Sequence, residues 1–281
     1  MKWILYFRER FPMHLLLLFC FLSVRSIYFD LVRPRELFAL TILYLLFFLY
    51  LRILDEFKDF RYDKTHHKDR PLQRGLVSKK DLLILLFVTF LSMVACVFFL
   101  GGIWVFAVFV FLYTLCMFKE FFCHDWLKKH IVIYLVSHEI VFVPLWIYIF
   151  SVVMGGYQFI LDASHVFLLI YMILPVVIME IGRKMVHRVS HKGIQTSDTY
   201  AYEWGEGQAI FVFSALFIVG GVIGWNTGLI RSSGIIFIFS FGVFCLVMLY
   251  QNLKVFVKNY LLFTFFGTLL LPCMLLFFRY D

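Results

Sequence analysis

Long apolar stretches alternate with short charged ones along the whole chain, and nine apolar runs stand out. They extend from Met13 to Phe29, Glu36 to Leu54, Leu82 to Leu100, Ile103 to Phe118, Ile131 to Phe150, His165 to Met179, Gln208 to Trp225, Ser233 to Tyr250 and Asn259 to Phe278. Most approach the roughly 20 residues that carry a helix across a hydrocarbon core, and the fourth and sixth are the short ones. The pattern predicts an all-α, polytopic membrane protein: a bundle of nine transmembrane helices forming a single domain over residues 1–281. Lys2, Arg8, Glu9 and Arg10 precede the first run, and no small-residue cleavage site follows it, so it reads as a retained helix and not as a signal peptide.

Composition agrees with the pattern. The chain is 63% hydrophobic with 37 Phe among 281 residues, and its mean hydropathy of +0.90 excludes an ordinary soluble domain. The basic residues then orient it. With the N-terminus on the cytoplasmic side, 21 of the 26 Lys and Arg residues fall on that side, and Arg33, Arg35, Arg231 and Arg279 on the other. Loops facing anionic lipid therefore account for the net charge of +8, and no nucleic-acid partner is needed. The long polar loops share the cytoplasmic side, so any chemistry is expected there, in an integral, multi-pass membrane protein. Six scattered cysteines without a C-x-x-C pair predict neither disulfides nor zinc. His66-His67 and His187 with His191 have metal-compatible spacing, but their basic neighbours favour solvated loop residues.

The densest polar segment is LDEFKDFRYDKTHHKDRPLQRGLV, Leu54 to Val77. It holds four carboxylates within nine residues: Asp55, Glu56, Asp59 and Asp63. On a helix Asp55 and Asp59 share a face, and Asp63 lies about 80° round from Asp55, so three acids can meet one hard divalent cation. Lys68, Arg70 and Arg74 follow, and acids beside bases suit a polyphosphate clamped through Mg2+. A solvated loop laced with i,i+4 ion pairs fits the charge pattern equally well. Lys119 closes an apolar run in KEFFCHDWLKKH on the same side, as a phosphate contact or a snorkelling anchor. His138 and Glu139 lie about two turns inside the fifth run, where ionisable groups are costly; they imply a cavity, a catalytic role or an interhelical hydrogen bond.

Nine helices with DExxDxxxD at the cytoplasmic end of the second, and DRPLxRG leading into the third, resemble the UbiA superfamily of intramembrane prenyltransferases. The resemblance implies a second acid motif after helix six, near Glu180, in MEIGRKMVHRVSHKGIQTSDTYAYEWG. Many members carry D-x-x-x-D there. This chain has Glu180 followed one turn later by Lys184, which cannot ligate a metal. By resemblance, Asp55, Asp59 and Asp63 hold one Mg2+, and Glu180 binds Mg2+ alone or with Asp198. Arg70, Arg74 and Lys119 grip the diphosphate, with Arg183 and Lys184 on its oxygens and Glu139 near the substrate. A simple Glu180–Lys184 helix pair is the plain alternative.

The implied reaction ionises an isoprenoid diphosphate and transfers the prenyl group to an acceptor that the sequence does not name. Mg2+ with Lys and Arg would stabilise charge developing on the leaving group, while an apolar chamber excludes water. The partners expected are a polyprenyl diphosphate donor, an acceptor and the lipid bilayer. Two rival functions remain: a terpene cyclase using the same donor, and a transporter or lipid-binding protein using the acids for cations. Charges clustered at one membrane face, instead of along a path through it, weigh against the transporter.

Overall fold

A computed structural model describes residues 1–27, 33–154, 163–189, 193 and 195–279. Among them the chain is helical, with two isolated β-bridges and no strand. It divides into two compact units, one of residues 1–24 and 30–159, the other of residues 25–29 and 160–281.

The first unit contains α1 (Lys2–Arg10), α2 (Met13–Ile27, up to Val24), α3 (Pro34–Lys58), α4 (Phe60–His66), α5 (Lys79–Leu100), α6 (Trp104–Phe118), a short 3₁₀ turn (Glu120–Phe122), α7 (His124–Lys129), α8 (Ile131–Glu139) and α9 (Phe142–Met154). α3 is its core helix. Pro34 opens it at a position where no amide donor is needed, and Glu36 in the first turn complements the helix dipole. Tyr44 lies at its centre, with ring centroids 5.9 Å from Phe19 of α2 and 5.3 Å from Trp146 of α9. Phe47 adds an edge contact of 5.6 Å to Phe142.

α5 is capped by a reciprocal box: Ser78 Oγ accepts from the Asp81 amide at 3.1 Å, and Asp81 Oδ2 accepts from the Ser78 amide at 2.9 Å. At its other end Gly102 has φ +73, and a Cβ there would meet Val152 Cγ2 at 2.7 Å, so glycine is required on both counts. Tyr148 donates to the Gly101 carbonyl at 3.0 Å and Ser151 Oγ accepts from the Ile103 amide at 3.0 Å, which fastens this turn to α9.

The second unit holds α10 (Ala163–Lys184), α11 (Tyr200–Trp204), α12 (Glu206–Asn226), α13 (Ser232–Lys258) and α14 (Tyr260–Phe277). α12 packs between α10 and α13, and α14 packs on α10 and α13. Small residues allow the close approach. Gly182 lies against Thr264, whose Cβ would be 2.9 Å from an added Cβ, and Gly267 lies against Phe217. Tyr171, fully buried, donates to the Leu271 carbonyl at 3.0 Å and ties α10 to α14.

Every apolar run has a helical counterpart, although the span count of nine is not reproduced. Seven spans among the described residues are long and apolar enough to cross a membrane, with α8 and α9 together (Ile131–Val153) counted as one, or eight if α1 and α2, bent by 56°, also act as one. α6 has only 15 residues. The fifth run is interrupted at Ile140 and Val141, which separate α8 from α9. The sixth run is longer than expected, reaching Lys184 instead of Met179, and the eighth reaches Lys258 past non-helical backbone at Asn252.

Candidate functional site

The first acid motif straddles a helix break. Asp55 and Glu56 lie in the last turn of α3, Asp59 joins α3 to α4 and its amide closes on the Asp55 carbonyl at 2.9 Å, and Asp63 lies within α4. Three acids at the C-terminal end of a helix oppose its dipole, so nearby cations must compensate. Lys58 Nζ lies 3.6 Å from Asp55 Oδ1 and 3.9 Å from Glu120 Oε1, and it donates to the Tyr134 hydroxyl at 3.1 Å. Glu56 is fully buried, with Arg10 Nε at 2.6 Å and Arg52 Nη2 at 3.6 Å.

The three expected ligands do not converge. Asp55 is half-exposed beside Lys58, whereas Asp63 is buried and paired with Arg70. No cluster of three or more His, Cys, Asp or Glu side chains suited to a metal occurs among the described residues. Two carboxylates one turn apart still fit Mg2+, which commonly takes one or two carboxylates and completes its shell with water and substrate phosphate. Arg74 instead reaches Glu9 Oε1 at 2.8 Å, and that hydrogen bond raises the guanidinium pKa further.

Lys119 terminates α6 and is exposed, its Nζ 5.6 Å from the Phe118 ring. The residues after it form an uncommon turn: Glu120, Phe121 and Phe122 all have positive φ, at 48°, 51° and 59°. Left-handed backbone in three consecutive non-glycine residues costs energy and must be held by its surroundings. Here Glu120 is buried, pairs with His124, and reaches Lys58, linking the turn to the end of α3. Glu139 ends α8 at the helix break, and His138 stacks on Tyr134 with centroids 4.1 Å apart.

In the second unit, α10 carries its motif past the apolar run. Glu180 Oε1 faces Lys184 Nζ at 2.6 Å and its Oε2 faces Arg183. Lys184 Nζ also lies 5.7 Å from the Tyr200 ring. Asp198 accepts from Thr196 and lies 3.4 Å from Arg188 Nη1, and Arg188 Nη2 in turn donates to the Arg183 carbonyl at 2.8 Å. Thr199 caps α11 by accepting from the Tyr202 amide at 3.2 Å. The His187 amide donates to Glu206 Oε1 at 3.1 Å; His191 lies outside the described residues.

Sequence reading named Glu56 as an acid and gave it no role, yet the structure makes it the most buried charge of the motif. Glu120 was missed outright. An acid directly after a helix-terminal Lys is the only local signal for it.

An all-helical, multi-pass membrane protein with acid and base motifs at helix ends is the class these features define. The UbiA prenyltransferase family model matches residues 15–262, and the chain belongs to that family. Comparison with curated proteins gives no significant match. A solved structure of digeranylgeranylglyceryl phosphate synthase is similar in fold, with a TM-score of 0.55, 11% sequence identity, and coverage of 98% of this chain and 99% of that one.

Proposed function

We propose that this intramembrane prenyltransferase ionises an isoprenoid diphosphate with Mg2+ and passes the prenyl group to a lipid-soluble acceptor. The family match extends across both units, which supports reading residues 1–281 as one catalytic domain. The observation that carries the chemistry is the pairing of Asp55 and Asp59, one turn apart at the end of a membrane-spanning helix, with Lys58 beside them.

In this reading Asp55 and Asp59 hold the cation, and bound Mg2+ would stabilise negative charge on the departing diphosphate. Asp63 orients Arg70 toward the phosphate oxygens and joins the metal if that pair opens. Arg74 and Lys119 add positive charge along the same polar edge. Arg183 and Lys184 present cations that exchange Glu180 for phosphate oxygens, while Glu180 and Asp198 remain the acids available for a second ion. Glu139 lies beside the substrate, and aromatic faces in the bundle shield and stabilise the allylic cation. The N-terminus and both motif loops face the cytoplasm, the side that receives most of the basic residues.

The test is incubation of the purified chain in lipid, with membrane lipid extract as acceptor source, with labelled geranyl, farnesyl and geranylgeranyl diphosphates. A prenylated lipid product is expected. A cyclic hydrocarbon or alcohol would mark a terpene cyclase, and unaltered donor would contradict the proposal.

A further inference from the structure

We infer that Arg10, on the N-terminal helix α1, is a positioning residue that fixes the acid-bearing end of α3 for cation binding; the inference rests on the metal reading of that motif. Arg10 lies before the stretch that the family model matches, whereas Glu56 lies within it. The two are 46 residues apart in sequence, yet Arg10 Nε donates to Glu56 Oε1 at 2.6 Å.

α1 touches the motif region at three points. Lys2 Nζ lies 2.7 Å from Asp81 Oδ1 at the start of α5, Arg74 Nη2 lies 2.8 Å from Glu9 Oε1, and Arg10 meets Glu56. The first two pairs are substantially exposed, with side-chain accessibilities between 27% and 45%, and solvent screens them. The third is not screened: Arg10 is 12% exposed and Glu56 0%. A buried carboxylate that loses its partner is strongly destabilised, so of the three ion pairs this one couples α1 most strongly to the end of α3.

The coupling bears directly on Asp55 and Asp59. Glu56 stands between them in sequence, in the last helical turn, where the dipole and mutual repulsion both favour fraying. Pinning Glu56 from α1, with Arg52 assisting at 3.6 Å, fixes the rotation of that turn and hence the setting of its neighbours. It also occupies one oxygen of a carboxylate that would otherwise compete for the cation. Glu56 Oε2 is buried and accepts no hydrogen bond among the described residues, so the contacts of Oε1 with Arg10 and Arg52 restrain this side chain.

The test compares the full chain in lipid nanodiscs with Arg10→Gln and Arg10→Lys. Hydrogen exchange over residues 55–66 reads the helix end without any metal, and electron paramagnetic resonance reads Mn2+ binding in the presence of inorganic diphosphate. Arg10→Gln should accelerate exchange over residues 55–66, leave the middle of α5 unaltered, and weaken Mn2+ binding about tenfold, the low end for a group bonded directly to a metal ligand, because Arg10 acts on Asp55 and Asp59 through Glu56. Arg10→Lys should recover part of both. Unaltered exchange or unaltered Mn2+ affinity in a folded Arg10→Gln protein overturns the inference. If Arg10→Gln does not fold, Arg10→Lys decides by the same two readouts. Wild-type protein that binds no Mn2+ overturns the metal reading itself, and exchange rates then decide the positioning claim alone.

Discussion

Lys184 Nζ lies 2.6 Å from Glu180 Oε1, one turn along α10, while Arg183 faces the other oxygen of the same carboxylate. Two cations on one acid leave a net positive charge at the end of this helix, which suits an arriving phosphate better than a metal ion. Replacing Lys184 by Gln should therefore weaken binding of inorganic diphosphate, and Lys184→Asp should shift the dependence toward higher Mg2+. Titration of inorganic diphosphate against Mg2+ checks this. Unaltered affinity and unaltered metal dependence in both variants would leave only a helix pair worth about 0.2–0.5 kcal/mol.

Asp63 and Arg70 make a second test. Asp63 is 1% exposed, so Asp63→Asn leaves a guanidinium without its counter-charge and should cost about 3 kcal/mol, the lower end for a broken buried pair because Arg70 keeps some exposure. Thermal unfolding in detergent measures it. The double change Asp63→Leu with Arg70→Met should recover most of the stability but not the activity.

The helices were legible in the sequence because their apolar faces and lengths carry the information locally. Ends were less legible. α10 continues past Met179 because Glu180, Arg183 and Lys184 pair with one another at i,i+3 and i,i+4, which a hydropathy window reads as a stop. α8 and α9 separate at Ile140 and Val141, neither of which signals a break. In the site, the i,i+4 relation of Asp55 and Asp59 was readable, but the pairing of Glu56 with Arg10 and of Lys58 with Glu120 was not. Those contacts join residues far apart in sequence, beyond the reach of any helical period.

Orientation rests on the basic residues, and thiol labelling tests it. In a cysteine-free protein, single cysteines at Thr65 and Glu203, both exposed, should react with an impermeant reagent from the cytoplasmic side only. One at Ser232, also exposed, should react only from the other side. Labelling of Thr65 and Glu203 from opposite sides would contradict a common cytoplasmic face for the two motif loops.

The central claim is that Asp59 helps hold a cation that drives diphosphate departure. Release of inorganic diphosphate from labelled geranylgeranyl diphosphate, measured against Mg2+ for the wild-type chain and for Asp59→Ala in lipid nanodiscs with membrane lipid extract, tests it most directly. The account predicts Mg2+-dependent release by wild type and a loss of at least about a hundredfold in the variant, with helical content unaltered, because metal stabilisation of the transition state is worth several kcal/mol. Mg2+-dependent release by Asp59→Ala at the wild-type rate would contradict it.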